Sequence, residues 1–237
     1  MARGWPDYGN VSGVSQEGEF LRSLTSAPVW FSDIFDTPML KWGQVWGTIV
    51  LINDPAAGAI DSRATLSDAI MRITPIATTY GQARRYFGPP PKTSFTGIEV
   101  YFSLTDLRTR YADRADSINI RLGLDDGFNA YTIGWSYNPR DDLWYITLNG
   151  TTWVTNVYKG RLATARRHRV KLIVDFQNLQ YRTLIVDGYS IDLTAYNFVR
   201  TGATPLIGSS VLLTTWDVVA SLGVLYIDGV FITHGES

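Results

Sequence analysis

Apolar and polar residues alternate in two runs of near-equal length between His168 and Gly188. Successive side chains of a strand point to opposite faces, so each run is predicted to be a strand. In the first run, one face is expected to carry Val170, Leu172 and Val174, and the other Arg169, Lys171 and Ile173. Gln177-Asn178 separates the runs, and we predict that they pair as an antiparallel hairpin.

A second reversal is predicted directly after this hairpin, at Asp187-Gly188. Asp-Gly accepts the positive φ angles of a two-residue turn, so the chain is expected to return as a further strand through Ile191. The middle of the chain is therefore predicted to be a meander of antiparallel strands.

Strand-like segments recur along most of the remaining chain, separated by turn-forming residues. Helical spacing occurs only from 103 to 113, through Leu104, Leu107 and Tyr111. Many short strands with regular turns are typical of an all-β antiparallel sandwich. The further strands are predicted at 29–33, 46–52, 69–76, 82–87, 97–104, 117–124, 128–136, 144–148, 152–155, 211–215 and 224–234.

Composition divides the chain into two parts. Residues 1–28 are rich in Gly, Ser and polar residues, with isolated aromatics at Trp5, Tyr8 and Phe20. Exposed aromatics favour contact with a partner or with the chain's own domain, so these three are predicted as contacts of an extended N-terminal arm. Residues 29–237 are predicted to form one domain, because 45% hydrophobic and 13% aromatic residues can build a sizeable core.

Charge and composition exclude several kinds of partner. A formal net charge of -1 creates no field that attracts phosphate backbones, so nucleic acid is not expected as a partner. The absence of cysteine excludes disulfides and thiolate chemistry. No segment has the apolar length of a signal peptide or a membrane helix, so no membrane partner is expected. No signal peptide is predicted, so the protein is expected in the cytoplasm unless it is part of a larger particle.

Three segments carry a resemblance to a known superfamily: residues 125–135, starting Asp-Asp-Gly-Phe, the hairpin from His168 to Gly188, and residues 223–232 around Asp228. In these segments the chain resembles the concanavalin-A-like jelly-roll superfamily, which includes laminin-G-like and lectin-like modules and laminarinase-type glucanases. The resemblance implies a jelly-roll β-sandwich over about residues 29 to 234. It implies little about function, because these folds host many activities.

The first residues carry a second resemblance. Gly-Trp-Pro-Asp-Tyr-Gly, followed by a polar arm, is similar to the start of some bacteriophage and virus structural proteins. This similarity implies a virion component, such as a capsid-decorating protein, whose arm contacts neighbouring subunits. A homo-oligomer with closed symmetry is then expected.

Catalytic motifs of the glucanases in this superfamily are missing. A retaining enzyme would carry Glu-x-Asp-x-Glu or a close variant on one strand, because its two carboxylates lie about 5 Å apart. Of the four Glu residues, two lie in the arm and Glu236 lies at the C-terminal tail, which leaves Glu99. Tyr101 and Ser103 stand where the motif needs carboxylates. The two histidines, His168 and His234, lie at no metal-binding spacing. The chain is therefore predicted not to be an enzyme.

An aromatic cluster is the strongest candidate for a binding surface. Tyr131, Trp135 and Tyr137 share one face of a predicted strand. They are predicted to form a platform for a sugar ring or a protein partner, with Arg140 and Asp142 supplying hydrogen bonds. The other members of the cluster are Trp144, Tyr145 and Trp153. The same aromatics would equally suit a sandwich core or a subunit interface.

Asp125, Asp126 and Asn129 form an oxygen-rich group that could hold calcium. The alternative is a solvated turn in which these side chains accept hydrogen bonds from nearby backbone, and the pattern favours this turn. No other cofactor is predicted.

These patterns leave three functions open. The first is a virion structural protein that contacts itself or other virion subunits through its arm and aromatic surface. The alternative is a carbohydrate-binding module with a polysaccharide partner. A glycoside hydrolase that uses an unfamiliar Asp pair ranks last.

Overall fold

The computed structural model describes residues 29–33, 35, 41–52, 70–75, 80–88, 95–104, 117–139, 141–163, 166–200, 202, 207–216 and 224–235. Within these ranges no helix has the length and apolarity needed to cross a membrane. The predicted arm contacts Trp5, Tyr8 and Phe20 lie outside the described residues, as does the helix-like stretch beyond Leu104. The domain boundary at residue 28 stays a prediction.

The described residues form strands in two antiparallel sheets. The strands are β1 (Val29–Asp33), β2 (Gly43–Trp46), β3 (Thr48–Ile52), β4 (Ile70–Thr74), β5 (Tyr80–Phe87), β6 (Phe95–Leu104), β7 (Ser117–Asp126), β8 (Ala130–Asn138), β9 (Leu143–Thr147), β10 (Trp153–Lys159), β11 (Arg167–Asp175), β12 (Gln180–Val186), β13 (Tyr189–Asp192), β14 (Ile207–Trp216) and β15 (Leu225–His234). Sheet I has the order β13-β12-β11-β6-β15-β4-β3, and β1 also pairs with β15. Sheet II has the order β10-β9-β8-β7-β14-β5-β2. The predicted all-β antiparallel sandwich is confirmed.

The predicted hairpin is confirmed in detail. Strand β11 pairs antiparallel with β12, from Val170 opposite Val186 to Asp175 opposite Gln180. The following turn has φ angles of 50° at Asp187 and 88° at Gly188, the two positive values that a type I′ turn requires. Strand β13 returns from this turn and pairs with β12.

The strand predicted over 46–52 is divided into two strands by Gly47. This glycine has a φ of 77°, and a Cβ built on it would lie 2.4 Å from the carbonyl oxygen of Thr74. Only glycine avoids both the close contact and the strained backbone. The chain therefore crosses from sheet II to sheet I at this residue, with β2 on one side of it and β3 on the other.

The core lies between the two sheets and is built by alternation along the central strands. On β6 the even-numbered residues Ile98, Val100 and Phe102 are all fully buried in the main apolar cluster. On β7, Ile118 and Ile120 of sheet II join the same cluster. The opposite faces of β6 and β7 therefore point away from this core.

A buried histidine connects the two ends of the hairpin. His168 is 2% exposed, and its Nδ1 lies 2.7 Å from Oδ2 of Asp187. Oδ1 of Asp187 accepts the backbone N–H of Arg169 at 2.9 Å. Burial by itself raises the pKa of the Asp187 carboxyl, but the hydrogen bonds from His168 and the Arg169 amide and the nearby positive charges outweigh burial and hold this pKa below its usual value.

This depressed pKa predicts a stability that depends on pH. The unfolded chain binds the proton more tightly, so the contribution of Asp187 is complete above the unfolded pKa of about 4 and is lost as the pH falls through the lower, folded value. Asp187→Asn keeps a turn that accepts positive φ but removes the charge. We expect this variant to lose about 1 kcal/mol at pH 7, a value discounted for solvent screening, and to show a shallower loss between pH 6 and pH 3. Urea unfolding at both pH values measures the difference, and identical pH slopes would contradict the assignment.

Candidate functional site

The aromatic residues predicted as a platform face the core. Trp135, Tyr137 and Trp144 are each 0% exposed. The ring of Trp135 lies 5.7 Å from that of Phe102 on the opposite sheet and 5.4 Å from that of Trp144. The structure therefore corrects the predicted platform, because no ligand can stack on side chains that fill the space between the sheets.

The remaining members of the predicted platform support this core or lie elsewhere. The hydroxyl of Tyr137 donates to Oδ1 of Asp142 at 3.0 Å and accepts the N–H of Leu162 at 3.1 Å. Asp142 thus holds a buried tyrosine. Tyr131 is half-buried and packs edge-on against Phe176 at 5.4 Å. Arg140 lies outside the described residues.

The acidic group after β7 forms the self-capping turn. Oδ1 of Asp125 accepts the N–H of Gly127 at 3.0 Å. Oδ1 of Asp126 accepts the N–H groups of Phe128 at 2.8 Å and Asn129 at 2.6 Å, and hydrogen bonds from this turn hold the pKa of Asp126 below its usual value. These oxygens already bind backbone donors, as expected of an Asx turn. No group of three or more His, Cys, Asp or Glu side chains suited to a metal occurs in the described part of the chain. Calcium binding at Asp125, Asp126 and Asn129 stays a prediction.

An open groove lies on the outer face of sheet II, which we call the sheet II groove. It encloses about 270 Å³ and crosses strands β7 to β10. It is lined by four small polar side chains, one cation and two aromatics: Ser117, Asn119, Ser136, Asn138, Arg121, Tyr145 and Trp153. The sequence places the two aromatics, Tyr145 and Trp153, in the predicted aromatic cluster, but it does not predict Arg121 or the small polar residues as part of a site.

Strand alternation explains why these side chains meet. Residues of β7 that lie between the core positions point outward, and so do the residues of β8 and β9 paired with them. One row of paired residues crosses the sheet from Tyr145 through Ser136, Asn119, Thr214 and Gln82 to Trp46. Since neighbouring strands are about 4.8 Å apart, this row is about 24 Å long.

Aromatic side chains stand at both ends of this row. Trp46 is 52% exposed and packs edge-on against Tyr80 at 5.8 Å. Tyr145 is half-buried at the opposite end. Between them the sheet surface is low, because Ser136 and Asn119 are small and only 6% and 9% exposed. The outer face of sheet II is therefore a polar floor between two aromatic ends.

Arg121 is the cation of the sheet II groove. Its guanidinium lies 5.2 Å from the ring centroid of Trp153. Arg121 is on β7 and Trp153 is on β10, and β8 and β9 lie between these two strands in the sheet. In the register, Arg121 is opposite Gly134, which has no side chain to separate Arg121 from Trp153. The Nε atom of Arg121 is buried and has no hydrogen-bond partner among the described residues. Burial lowers the pKa of this guanidinium.

A second open cleft lies on the outer face of sheet I. It is larger than the sheet II groove, and its described lining contains both a cation and a carboxylate. It encloses about 390 Å³ between β6 and β13, with Arg182 and Asp192 among its lining residues. Nη1 of Arg182 donates to Oε1 of Gln180 at 3.0 Å, and its guanidinium lies 5.6 Å from the ring of Phe95. Arg182 also lowers the pKa of Asp192, although the backbone hydrogen bond from Thr194 is the larger cause.

Glu99 is positioned away from the sheet II groove. It lies on β6 of sheet I, is 0% exposed, and its Oε1 accepts from Nε of Arg169 at 2.6 Å. Its Oε2 lies 3.2 Å from Nη2 of Arg169 and 3.8 Å from Nζ of Lys171. Glu99 therefore belongs to a buried network of charged side chains in sheet I. The described lining of the sheet II groove includes no carboxylate.

Comparison with known proteins shows similarity in fold alone. The sequence matches no protein-family model, and no curated protein is similar to it in sequence. Among solved structures, a carbohydrate esterase from the Shiga toxin-encoding bacteriophage phi24B is 11% identical with a TM-score of 0.57, over 89% of this chain and 100% of the esterase. An endo-beta-1,4-glucuronan lyase from the fungus Trichoderma reesei is 10% identical with a TM-score of 0.56, over 87% of this chain and 95% of the lyase. Peanut lectin is 11% identical with a TM-score of 0.51, over 86% of this chain and 97% of the lectin.

These similarities extend over almost the whole length of each protein, and the strands of this chain form the same two-sheet sandwich. The predicted superfamily resemblance is thereby confirmed at the level of fold. The chain has the concanavalin-A-like jelly-roll fold.

Proposed function

We propose that this protein is a carbohydrate-binding module and that its ligand lies in the sheet II groove. The observation that carries the proposal is the outer face of sheet II itself, a polar floor with Tyr145 at one end and Trp46 at the other. Sugar rings have apolar faces and hydroxyl edges. They therefore suit a concave surface that combines aromatic side chains with a few hydrogen-bonding groups.

The row of outward residues favours an extended ligand. It crosses six strands, and the small polar side chains along it offer donors and acceptors at successive strands. A polysaccharide lying across the strands would contact several of these groups at once. The three similar structures are a carbohydrate esterase, a glucuronan lyase and a lectin, and this range supports carbohydrate as the ligand class. A fold alone does not determine function, so the groove carries the argument.

Substitution of the groove aromatic tests the proposal. Tyr145→Ala removes an aromatic surface at the edge of the sheet II groove, and we expect it to weaken polysaccharide binding about tenfold, which corresponds to about 1.4 kcal/mol. Affinity electrophoresis in gels that contain a panel of neutral and acidic polysaccharides measures the change. Tyr189→Ala is the matched control, because Tyr189 is 61% exposed on β13 of sheet I. Equal binding by both variants and the unmodified protein would exclude the groove as the site.

A virion structural role is our second candidate. The similarity in fold to a protein of a bacteriophage favours it, and so does the resemblance of the first residues to phage structural proteins. The two roles are compatible, since a virion module can bind glycans. Immunogold labelling of intact virus particles tests this candidate. The protein should be found on the particles, and its presence only among unassembled proteins would contradict a virion role.

A further inference from the structure

The sheet II groove has an unbalanced charge. Of the seven described side chains that line it, Arg121 is the only ionised one, and the others are neutral amides, hydroxyls and aromatics. The ion pairs of the described residues join other groups: Arg167 with Asp228, His168 with Asp187, and both Arg169 and Lys171 with Glu99. The described lining of the groove thus contains a cation without a carboxylate beside it.

The environment of Arg121 makes this charge costly for the free protein. Its Nε is buried without a hydrogen-bond partner in the described part of the chain, and its guanidinium is packed on the ring of Trp153. A cation that has lost part of its hydration is destabilised unless an anion or a set of acceptors replaces the water. An anionic group on a ligand would supply what the described lining does not.

We propose that the ligand of the sheet II groove is an acidic polysaccharide whose carboxylate binds the guanidinium of Arg121. This inference rests on the proposed carbohydrate-binding function and names its ligand class. The planar guanidinium can donate two parallel hydrogen bonds to one carboxylate, a geometry that an ammonium group does not provide. Asn119 and Ser136, which lie next to Arg121 in the groove, are neutral and would bind hydroxyl groups of the same chain.

The cleft on sheet I provides an internal comparison. Arg182 also packs on an aromatic ring, but it donates to Gln180 and lies near enough to Asp192 to lower the pKa of that carboxyl. Among the described residues, Arg182 therefore has a hydrogen-bond acceptor in Gln180 and a carboxylate near enough to interact with its charge. Both arginines pack on an aromatic ring, but the described lining gives Arg121 no acceptor for its charge, whereas Arg182 has one. Arg182 is therefore a suitable control.

The test compares polymers that share a backbone and differ in charge. Polygalacturonate is paired with its fully methyl-esterified form, and dextran sulfate is paired with dextran. We expect the full-length protein to bind polygalacturonate at least tenfold more tightly than the ester, as measured by isothermal titration calorimetry and affinity electrophoresis. Dextran sulfate tests whether the anion must be a carboxylate, and preference for it over polygalacturonate would overturn the carboxylate assignment.

Variants then assign the preference to one residue. Arg121→Gln is expected to reduce binding of polygalacturonate at least tenfold and to remove most of its advantage over the ester. Arg121→Lys keeps the charge but loses the paired donors, and an intermediate affinity is expected. Arg182→Gln, in the sheet I cleft, should bind as the unmodified protein does. Circular dichroism and thermal melting confirm that each variant is folded.

The outcomes separate the two proposals. Equal binding of the acid and the ester, or an acid preference that survives Arg121→Gln, would overturn the acidic ligand and leave the carbohydrate-binding function standing. Binding to none of the four polymers would overturn this inference, and a panel of unrelated neutral glycans that also fails would overturn the proposed function.

Discussion

Replacing Trp135 with alanine is expected to lower the free energy of unfolding by about 3 to 5 kcal/mol. Trp135 is 0% exposed, and its ring packs against Phe102 of the opposite sheet and Trp144 of the next strand. Removal of the indole leaves a cavity between two sheets whose backbones are held by hydrogen bonds, so the surroundings can relax only partly. Guanidinium chloride unfolding followed by far-UV circular dichroism measures the loss.

Tyr145→Ala is the control for this prediction. Tyr145 neighbours Trp144 on β9 but points into the sheet II groove, so its loss is expected to cost about 1 kcal/mol or less in stability while it weakens ligand binding. The folded fraction of Trp135→Ala should bind ligand as tightly as the unmodified protein. If Trp135→Ala is as stable as the unmodified protein but binds ligand more weakly, the aromatic cluster lies at a binding surface and not in the core.

Local patterns in the sequence were sufficient to predict the hairpin. The alternation through Val170, Leu172 and Val174 is confirmed, because these residues are fully buried and face the core. The Asp187-Gly188 turn is confirmed as well, since the positive φ angles that define it depend on these two residues themselves. Both features involve residues that are neighbours in the chain, and alternation reports such features well.

The sequence predicts a binding platform on a face of β8 that is the core face in the structure, and the same strand shows why. Alternation correctly put Tyr131, Trp135 and Tyr137 on one face of β8, but it does not say which face meets the other sheet. The intervening residues Gly134 and Ser136 are small, and they form the open side. Large aromatic side chains on one face of β8 and small side chains on the other indicate that the aromatic face is the core face. The same contrast indicates that the groove lies on the opposite face.

Other parts of the site depend on contacts between distant residues. Arg121 reaches Trp153 only because β7 and β10 lie in one sheet with Gly134 between them. The row that ends at Trp46 needs β14 inserted between β7 and β5, a pairing of strands far apart in the chain. The crossing at Gly47 is set by a close approach to Thr74, which becomes visible only in three dimensions. No periodicity along the chain contains this information.

Glu99→Leu is expected to cost about 3 kcal/mol in stability without weakening ligand binding. Glu99 is 0% exposed and Lys171 is 1% exposed, and Arg169 donates to both oxygens of the carboxylate. Burial, the charge of Glu99 and a hydrogen bond to it raise the pKa of Tyr101, which places that hydroxyl in the same network. Removing the carboxylate takes the countercharge from two cations, one of them buried, and the loss of one partner of a buried pair typically costs several kcal/mol.

The double variant Glu99→Leu with Lys171→Met separates a lost charge from lost packing. If the cost of Glu99→Leu comes from the charge left on Lys171, exchanging both residues for apolar ones should recover a large part of the stability, as is common for buried pairs. If it comes from packing, the two losses should add. Chemical denaturation of the four proteins in the cycle measures the coupling. Affinity for the ligand of the sheet II groove should be equal in all four, because Glu99 and Lys171 lie on sheet I, and a change in affinity would show that the network on sheet I influences the groove across the core.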